Sequence, residues 1–358
     1  MPLALVFFVA TVHCYNESEM RKIVVAVILF LAVSLVIFSF SELKHVVETL
    51  QKAHPWFLAL ALLVQAVWFF VLGWIFQSIY AALGLSESKR RLTLVAAASG
   101  FVSIVTPSAG VGGLALFLAD GRARGLPSGK ITVAGALYLL LDQAAFLCVL
   151  AVAMVVLIRR KNLGPGEITA SLILLGIASV LAFLLFLGYR SAEALGEALA
   201  QLARLVNHIV GPIIHREYLS EARAHDFARE ISEGLSSLPE NQRILIQPFA
   251  LSLANKVLLM GVLICSFLSF DVPFSAGTIV GGFAIGYLFL IVSPTPSGVG
   301  VVEGVMAIAL GSLRVDFSQA VIITLAYRGV TFWIPLAVGA VAFRALQAQG
   351  TKAPEVRI

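Results

Sequence analysis

The sequence predicts an all-α integral membrane protein, built as an inverted repeat of two halves, each with three transmembrane helices and a Pro/Gly-broken re-entrant helical hairpin. Three observations predict it. Hydrophobic residues fill 59% of the 358 positions and charged residues only 13%, against roughly 25% charged in a soluble domain. Apolar runs of about 20 residues, enough to cross a ~30 Å hydrocarbon core as helix, recur along the chain, without the two-residue alternation of an outer-membrane barrel. Finally, two apolar regions carry nearly the same interruption, TPSAGVG at 106–112 and TPSGVG at 295–300.

The elements follow in order. Residues 1–20 begin MPLALVFFVATVHCY, which is apolar but too short to span and lacks the basic leader of a secretory signal. MRKIVVAVILFLAV from Met20 has the character of a start, so the first 20 residues are expected to be a short extension from a misassigned start codon. N-terminal sequencing that found Met1 or Pro2 would remove that expectation. The first half, 21–160, holds spans at Ile23–Phe40, Pro55–Leu83 and Ile131–Ile158, with a hairpin near 92–120. The second half, 161–345, holds spans at Ile168–Gly188, Ile244–Phe270 and Gln319–Phe343, with a hairpin near 274–313. Residues 346–358 form a polar tail.

The hairpins are read from their breaks. Pro removes a backbone donor, and Gly costs about 1 kcal/mol relative to Ala inside a helix. The first tip has Pro107, Gly110, Gly112 and Gly113; the second has Pro294, Pro296, Gly298 and Gly300. Lipid does not tolerate irregular backbone, so protein or a water-filled cavity must satisfy these tips. The surroundings repeat as well. Pro55 precedes Pro107 by 52 residues and Pro248 precedes Pro296 by 48, while Asp142 follows the first Pro by 35 residues and Arg328 the second by 32.

Re-entrant hairpins also satisfy the positive-inside rule. With Arg21 and Lys22 cytoplasmic, that side receives KRR (89–91), Arg122, Arg124, Lys130, six arginines from Arg190 to Arg243, and Arg344, Lys352 and Arg357. Only Lys44, Lys52, RRK (159–161) and Arg314 fall outside. Three full crossings per half then invert one half against the other, a recurrent transporter architecture. Between the halves, the polar segment 191–243 repeats Leu195, Leu199, Leu202, Leu205, Val206 and Ile209 at helical spacing. It reads as an amphipathic helix on the cytoplasmic face, either a linker packed on the bundle or a lipid sensor.

Nearly all of the 25 basic and 20 acidic residues lie in loops or at span ends; Asp142, Lys256, Glu303 and Arg328 do not. A charge at mid-helix costs about 2.5 to 3.5 kcal/mol on insertion scales, so such groups face partners or a polar cavity. They are either structural ion pairs or contacts to a charged substrate. Glu303, at the start of the second arm, either caps its own helix or pairs with Arg328, leaving tip N–H groups for a phosphate. Tyr327 and Arg328 suit an amphipathic head group, since Arg binds phosphate bidentately; Tyr138 and Asp142 hold the comparable place in the first half. The candidate substrate-binding set is therefore Arg328, Glu303, Tyr327, Asp142, Lys256 and Tyr138.

Other chemistry finds little support. His13, His45, His54, His208, His215 and His225 form no HExxH-like pair, and Cys14, Cys148 and Cys265 no ligand pattern, so neither metal nor cofactor is expected. The glycine motifs lack the strand-to-helix context and the Lys-Ser/Thr of a nucleotide loop, no GxSxG elbow occurs, and no nucleic-acid motif is present. Basic residues flanking the spans account for the formal charge of +5.

SPTPSGVGVVEGVMAIAL followed by TLAYRGVTFWIPLAVG (324–339) resembles the signature of the lysylphosphatidylglycerol synthase transmembrane family, also called flippase-like proteins. The matching residues are Pro296, Gly298, Gly300, Glu303, Tyr327, Arg328, Trp333 and Pro335, and the resemblance runs from about residue 20 over nearly the whole chain. It implies a multi-span bacterial inner-membrane protein that moves aminoacylated phosphatidylglycerol or polyprenyl- or hopanoid-linked lipids between leaflets; the positive-inside count adds a cytoplasmic N-terminus. The sequence ends at Ile358 without the soluble domain of the bifunctional members, so lysyl transfer is not expected. Leu114 and Leu141 stand where the family carries charges, leaving only Asp142 in the first half, a poor match to a cationic head group. The expected function is thus a lipid flippase or transporter. An intramembrane enzyme acting through Asp142 or Glu303, or a noncatalytic partner of a lipid-modifying complex, are the alternatives. The expected partners are membrane lipids with phosphate-containing head groups; a homodimer and a lipid-biosynthesis enzyme are the open protein partners, since a Gly-rich span permits close helix contact.

Overall fold

A backbone in hydrocarbon must satisfy its polar groups within its own segment, and every described element is accordingly helical. A computed structural model describes residues 51, 53–105, 111–159, 165–201, 204, 221–236, 242–293 and 295–348. The N-terminal extension, the Ile23–Phe40 span, Pro107, Gly110, Pro294, Leu202, Leu205, Val206, Ile209 and the tail from residue 349 lie outside them. Four helices are long and apolar enough to cross a membrane: Pro55–Ala82, Ser128–Arg159, Arg243–Ser269 and Phe317–Ala348. The chain is a multi-pass membrane protein.

Helix α1, Pro55–Ala82, starts on a proline whose missing N–H would have no helical partner. Trp56, Leu60, Leu63, Val67, Phe70 and Trp74 form an exposed stripe, while Leu72, Ile75, Phe76 and Ile79 turn inward. The stripe suits lipid, and it begins and ends on tryptophan, the residue of membrane interfaces. Trp56 and Trp74 lie 18 residues apart, about 27 Å along a helix, close to the hydrocarbon thickness.

Two broken helix pairs follow. In the first, α2 (Lys89–Val105) packs beside α3 (Val111–Ala123). Arg91 pairs with Asp120 near the open end, and Gly113 lies against Ser99 and Ser103 nearer the break, so the arms are antiparallel. Helix α4, Ser128–Arg159, then runs back past α1, α5 is Pro165–Arg190, and residues 192–201 are helical with Leu195 buried. Helix α6, Glu221–Ser236, crosses α4 and α5; a Cβ at Gly234 would fall 2.8 Å from the Gly129 carbonyl oxygen.

Helix α7, Ile246–Ser269, follows a 3-10 turn at Gln242–Leu245 and packs along α1. The two are antiparallel: the His54 amide donates to the Ser269 carbonyl (2.8 Å), while Gln247 at the other end shares a groove with Gln77 and Glu87. The second pair is α8 (Ala276–Val292) and α9 (Val301–Ser312), joined through a 3-10 turn at Pro296–Gly298. Ser275 caps α8 by accepting from the Thr278 amide. Gly286 faces Met306 and Gly282 faces Leu310, again an antiparallel register.

The last span, expected at Gln319–Phe343, runs over Phe317–Ala348 and carries a bulge. Asp316 caps α10 (Phe317–Arg328), a π-turn occupies Gly329–Trp333, and α11 is Ile334–Ala348. Pro335 lacks the N–H that a regular helix would direct at the Thr331 carbonyl, so the ladder is already broken here and a bulge costs less. The Thr331 hydroxyl donates to the Tyr327 carbonyl within the bulged turn (2.8 Å).

Helices distant in the chain also pack together. Helix α4 lies on α8, α11 lies on α2, and α2 reaches the Pro296–Gly298 turn. Two large apolar cores result, one around Phe146, Phe267, Phe283 and Met306, the other around Ile79, Leu83, Val95 and Leu137. Trp68 packs against both and marks their junction.

Candidate functional site

At that junction lies a cavity of about 150 Å³. Its walls are Trp68 from α1, Tyr138 and Asp142 from α4, Asn255, Lys256 and Leu259 from α7, Gly286, Tyr287 and Leu290 from α8, Val302 from α9, and Tyr327, Arg328 and Thr331 from the last span. Asn255 and Lys256 stand near the middle of α7, and Asp142 near the middle of α4. An apolar helix places charge at such depth only against a partner.

Two ion pairs supply the partners. Lys256, 1% exposed, donates from Nζ to Asp142 Oδ1 (2.6 Å) and to the Tyr287 hydroxyl (2.5 Å), and lies 4.3 Å from the centre of the Tyr287 ring. The Tyr287 hydroxyl in turn donates to Asp142 Oδ2 (3.3 Å), closing a three-membered network across α4, α7 and α8. Arg328, 4% exposed, donates from Nε to Glu303 Oε1 and from Nη2 to the Ser297 carbonyl (3.0 Å), with its guanidinium over the Phe332 ring. Glu303 sits in the first turn of α9, where the positive end of the helix dipole favours it, and it pairs with Arg328 in preference to capping its own helix.

The Ser297 carbonyl is available to Arg328 because of the local backbone. Ser297 and Gly298 both have left-handed φ, 51° and 70°, and Gly300 has φ 80°. These values turn the chain sharply between the two arms, as the TPSGVG motif requires. Arg328 thus ties the last span to both the turn and the second arm.

Several polar atoms around the cavity have no hydrogen-bond partner among the described residues: the Trp68 indole nitrogen, Asn255 Oδ1 and Glu303 Oε2. Gln65, one turn before Trp68 and 1% exposed, has no such partner at either amide atom. Buried polar groups are normally satisfied, so each marks a place for water or a ligand. Among the described residues no group of three His, Cys, Asp or Glu side chains could hold a metal ion.

Of the six residues singled out from the sequence, Arg328, Tyr327, Asp142, Lys256 and Tyr138 line this one cavity, and Glu303 is joined to it through Arg328. Gly298 and Gly300 lie at the second turn, Gly112 and Gly113 in the first turn of α3. Sequence reasoning missed Tyr287, Asn255, Trp68 and Thr331. Asn255 was findable, being a second polar residue beside an intramembrane lysine. Tyr287 and Trp68 look like any aromatic in an apolar run.

Comparison with known proteins bears on this arrangement. The family model described as the lysylphosphatidylglycerol synthase TM region matches residues 23–339. No curated protein matches the chain.

Proposed function

Because the chain belongs to the lysylphosphatidylglycerol synthase TM family, we propose that it is a lipid flippase of a bacterial inner membrane, moving the polar head group of a phospholipid or of a polyprenyl- or hopanoid-type lipid between leaflets. The observation that carries this reading is the cavity lined by Asp142, Lys256 and Arg328 within long apolar helices, with Glu303 paired to Arg328 at its edge. A head group must leave water and cross hydrocarbon, and fixed, paired charges lower that cost.

The substrate-binding roles belong to the same proposal. Arg328 keeps Nη1 without a partner among the described residues, so it and Lys256 offer hydrogen-bond donors to a phosphate, while Asp142 and Glu303 balance their charge. Tyr138 and Tyr327 supply amphipathic walls. The halves are inverted in this reading, with the two broken pairs as re-entrant hairpins. The antiparallel α1 and α7 support it, since each immediately precedes a broken pair and the pairs therefore begin at opposite ends. Basic residues support a cytoplasmic assignment for the end where α1 finishes: Arg91, Arg122, Arg124 and Lys130 gather there, with Arg124 on Glu87 (2.7 Å) and Lys130 on the Leu83 carbonyl (2.8 Å).

The test is leaflet transfer of fluorescent lipids with anionic, zwitterionic and cationic head groups in proteoliposomes. Wild-type protein is expected to transfer at least one class, and Arg328→Ala or Glu303→Gln to reduce that transfer at least tenfold in folded protein. Unchanged transfer in both variants would remove the proposed site. Covalent change of the lipid without transfer would point to an intramembrane enzyme.

A further inference from the structure

We infer that an anionic head group enters the cavity together with one proton and that Asp142 holds that proton, so that the two cross without net charge. This rests on the cavity being the head-group site proposed above. The fixed charges of the site are two bases and two acids, Lys256 with Asp142 and Arg328 with Glu303, and they sum to zero. A phosphodiester brings one further negative charge, which charges that already cancel cannot neutralise. Net charge held among apolar helices is costly, and a buried ionisable group neutralises instead of bearing that cost. A proton on one carboxylate restores the balance.

The geometry favours Asp142 over Glu303. Among the described residues Asp142 is the only carboxylate that lines the cavity; its other ionisable groups are Tyr138 on α4, Lys256 on α7, Tyr287 on α8, and Tyr327 and Arg328 of the last span. From α1 the lining is Trp68, and no residue of α3, α5 or α6 contributes. Glu303 lies in the first turn of α9, where the helix dipole favours its charge, and its partner Arg328 is also held by the Ser297 carbonyl. Asp142 stands inside α4, away from either end, with Lys256 as the one cation paired to it among the described residues. The ammonium of Lys256 ends a flexible stem, and once it turns to a phosphate Asp142 has no cation. Protonated on Oδ2, Asp142 donates to the Tyr287 hydroxyl 3.3 Å away, the reverse of the present bond. One O–H bond forms with a proton from water on the side of entry. The same bond breaks on the side of release, when Lys256 returns to Asp142.

The experiment counts protons. Binding of short-chain phosphatidylglycerol to the purified full-length protein at neutral pH is measured by calorimetry in buffers of different ionisation enthalpy, which gives the protons taken up per lipid. About one is expected, and none for zwitterionic phosphatidylcholine. Infrared difference spectra then locate it: binding is expected to raise a carboxylic-acid band that shifts when aspartate is isotope-labelled and is lost in Asp142→Asn. In proteoliposomes, phosphatidylglycerol is expected to leave the acid-side leaflet several-fold faster than at equal pH, while a membrane potential alone leaves the rate unchanged. Lipid binding without proton uptake overturns the inference and leaves the head-group site standing. A band that shifts only with labelled glutamate overturns the assignment to Asp142. If neither lipid binds, the head-group site fails and the inference with it. Proton uptake on binding, with no transfer at any pH difference, upholds the coupled binding and instead removes the flippase reading.

Discussion

Lys256 has only 1% of its surface exposed, and its ammonium is held between Asp142 and Tyr287. Removing one member of a buried pair leaves the other charge without compensation, a loss of about 3 to 5 kcal/mol, whereas replacing both by apolar residues is often neutral. Lys256→Met is therefore expected to destabilise the protein by about that amount, and Lys256→Met with Asp142→Leu to recover most of it. Thermal unfolding in detergent reads both; a double variant no more stable than the single one would show that the pair is not what Lys256 provides. The arginine pair differs in geometry. Its guanidinium bonds a carboxylate and a backbone carbonyl from different nitrogens, a bridge for which the planar fork of Arg is suited and the ammonium of Lys is not.

The second broken pair shows how a short motif becomes an element. Gly298 and Gly300 both have left-handed φ, but their surroundings differ. A Cβ at Gly298 would strike Val302 and approach Leu290 at 3.3 Å, while one at Gly300 would meet nothing within 4 Å. Left-handed backbone costs a non-glycine residue roughly 1 to 2 kcal/mol. Gly300, at φ 80° and ψ −39°, lies outside the left-handed α region, so Gly300→Ala is expected to lose at least that much from backbone strain alone, while Gly298→Ala adds overlap with Val302 to its strain. Thermal unfolding reads both; a loss below about 1 kcal/mol at either position would show that the turn relaxes around the new side chain. The π-turn after Arg328 belongs to the same scale. Pro335 removes the ladder bond to Thr331, one turn downstream of Arg328 and itself part of the cavity wall, and such bulges recur at functional sites.

Across the described bundle, two apolar cores are separated by the polar junction at Trp68, and the helix pairs begin at opposite ends. The inverted topology proposed above makes a direct prediction. Arg122, exposed after the first pair, and Arg314, exposed after the second, are expected to face opposite compartments. In a background with Cys14→Ser, Cys148→Ala and Cys265→Ala, the variants Arg122→Cys and Arg314→Cys are expected to react with a membrane-impermeant maleimide from opposite sides, Arg122→Cys from the cytoplasm. Labelling of both from one side would contradict the inversion.

Apolar run length alone placed α1, α4, α7 and the last span to within a few residues, because hydrocarbon thickness sets a minimum length that composition reveals directly. The Pro/Gly motifs placed the two helix pairs; at the second, Ser297, Gly298 and Gly300 take positive φ values that favour glycine. The four intramembrane charges were legible because each is costly in hydrocarbon wherever it points. Which acid meets which base was not legible, since Asp142 and Lys256 are brought together from positions 114 residues apart by the packing of α4 on α7. Nor was the role of Tyr287, Asn255 and Trp68: a single aromatic or amide in an apolar run carries no sign of what it faces. The π-turn likewise arises only where a proline within a span, here Pro335, meets neighbours that hold both ends of the helix. The sequence by itself thus determined the membrane class, the described spans, the helix pairs and the costly charges, each a property of local composition. Tertiary structure alone decided the pairing and the cavity, because both depend on side chains from distant helices converging on one buried point.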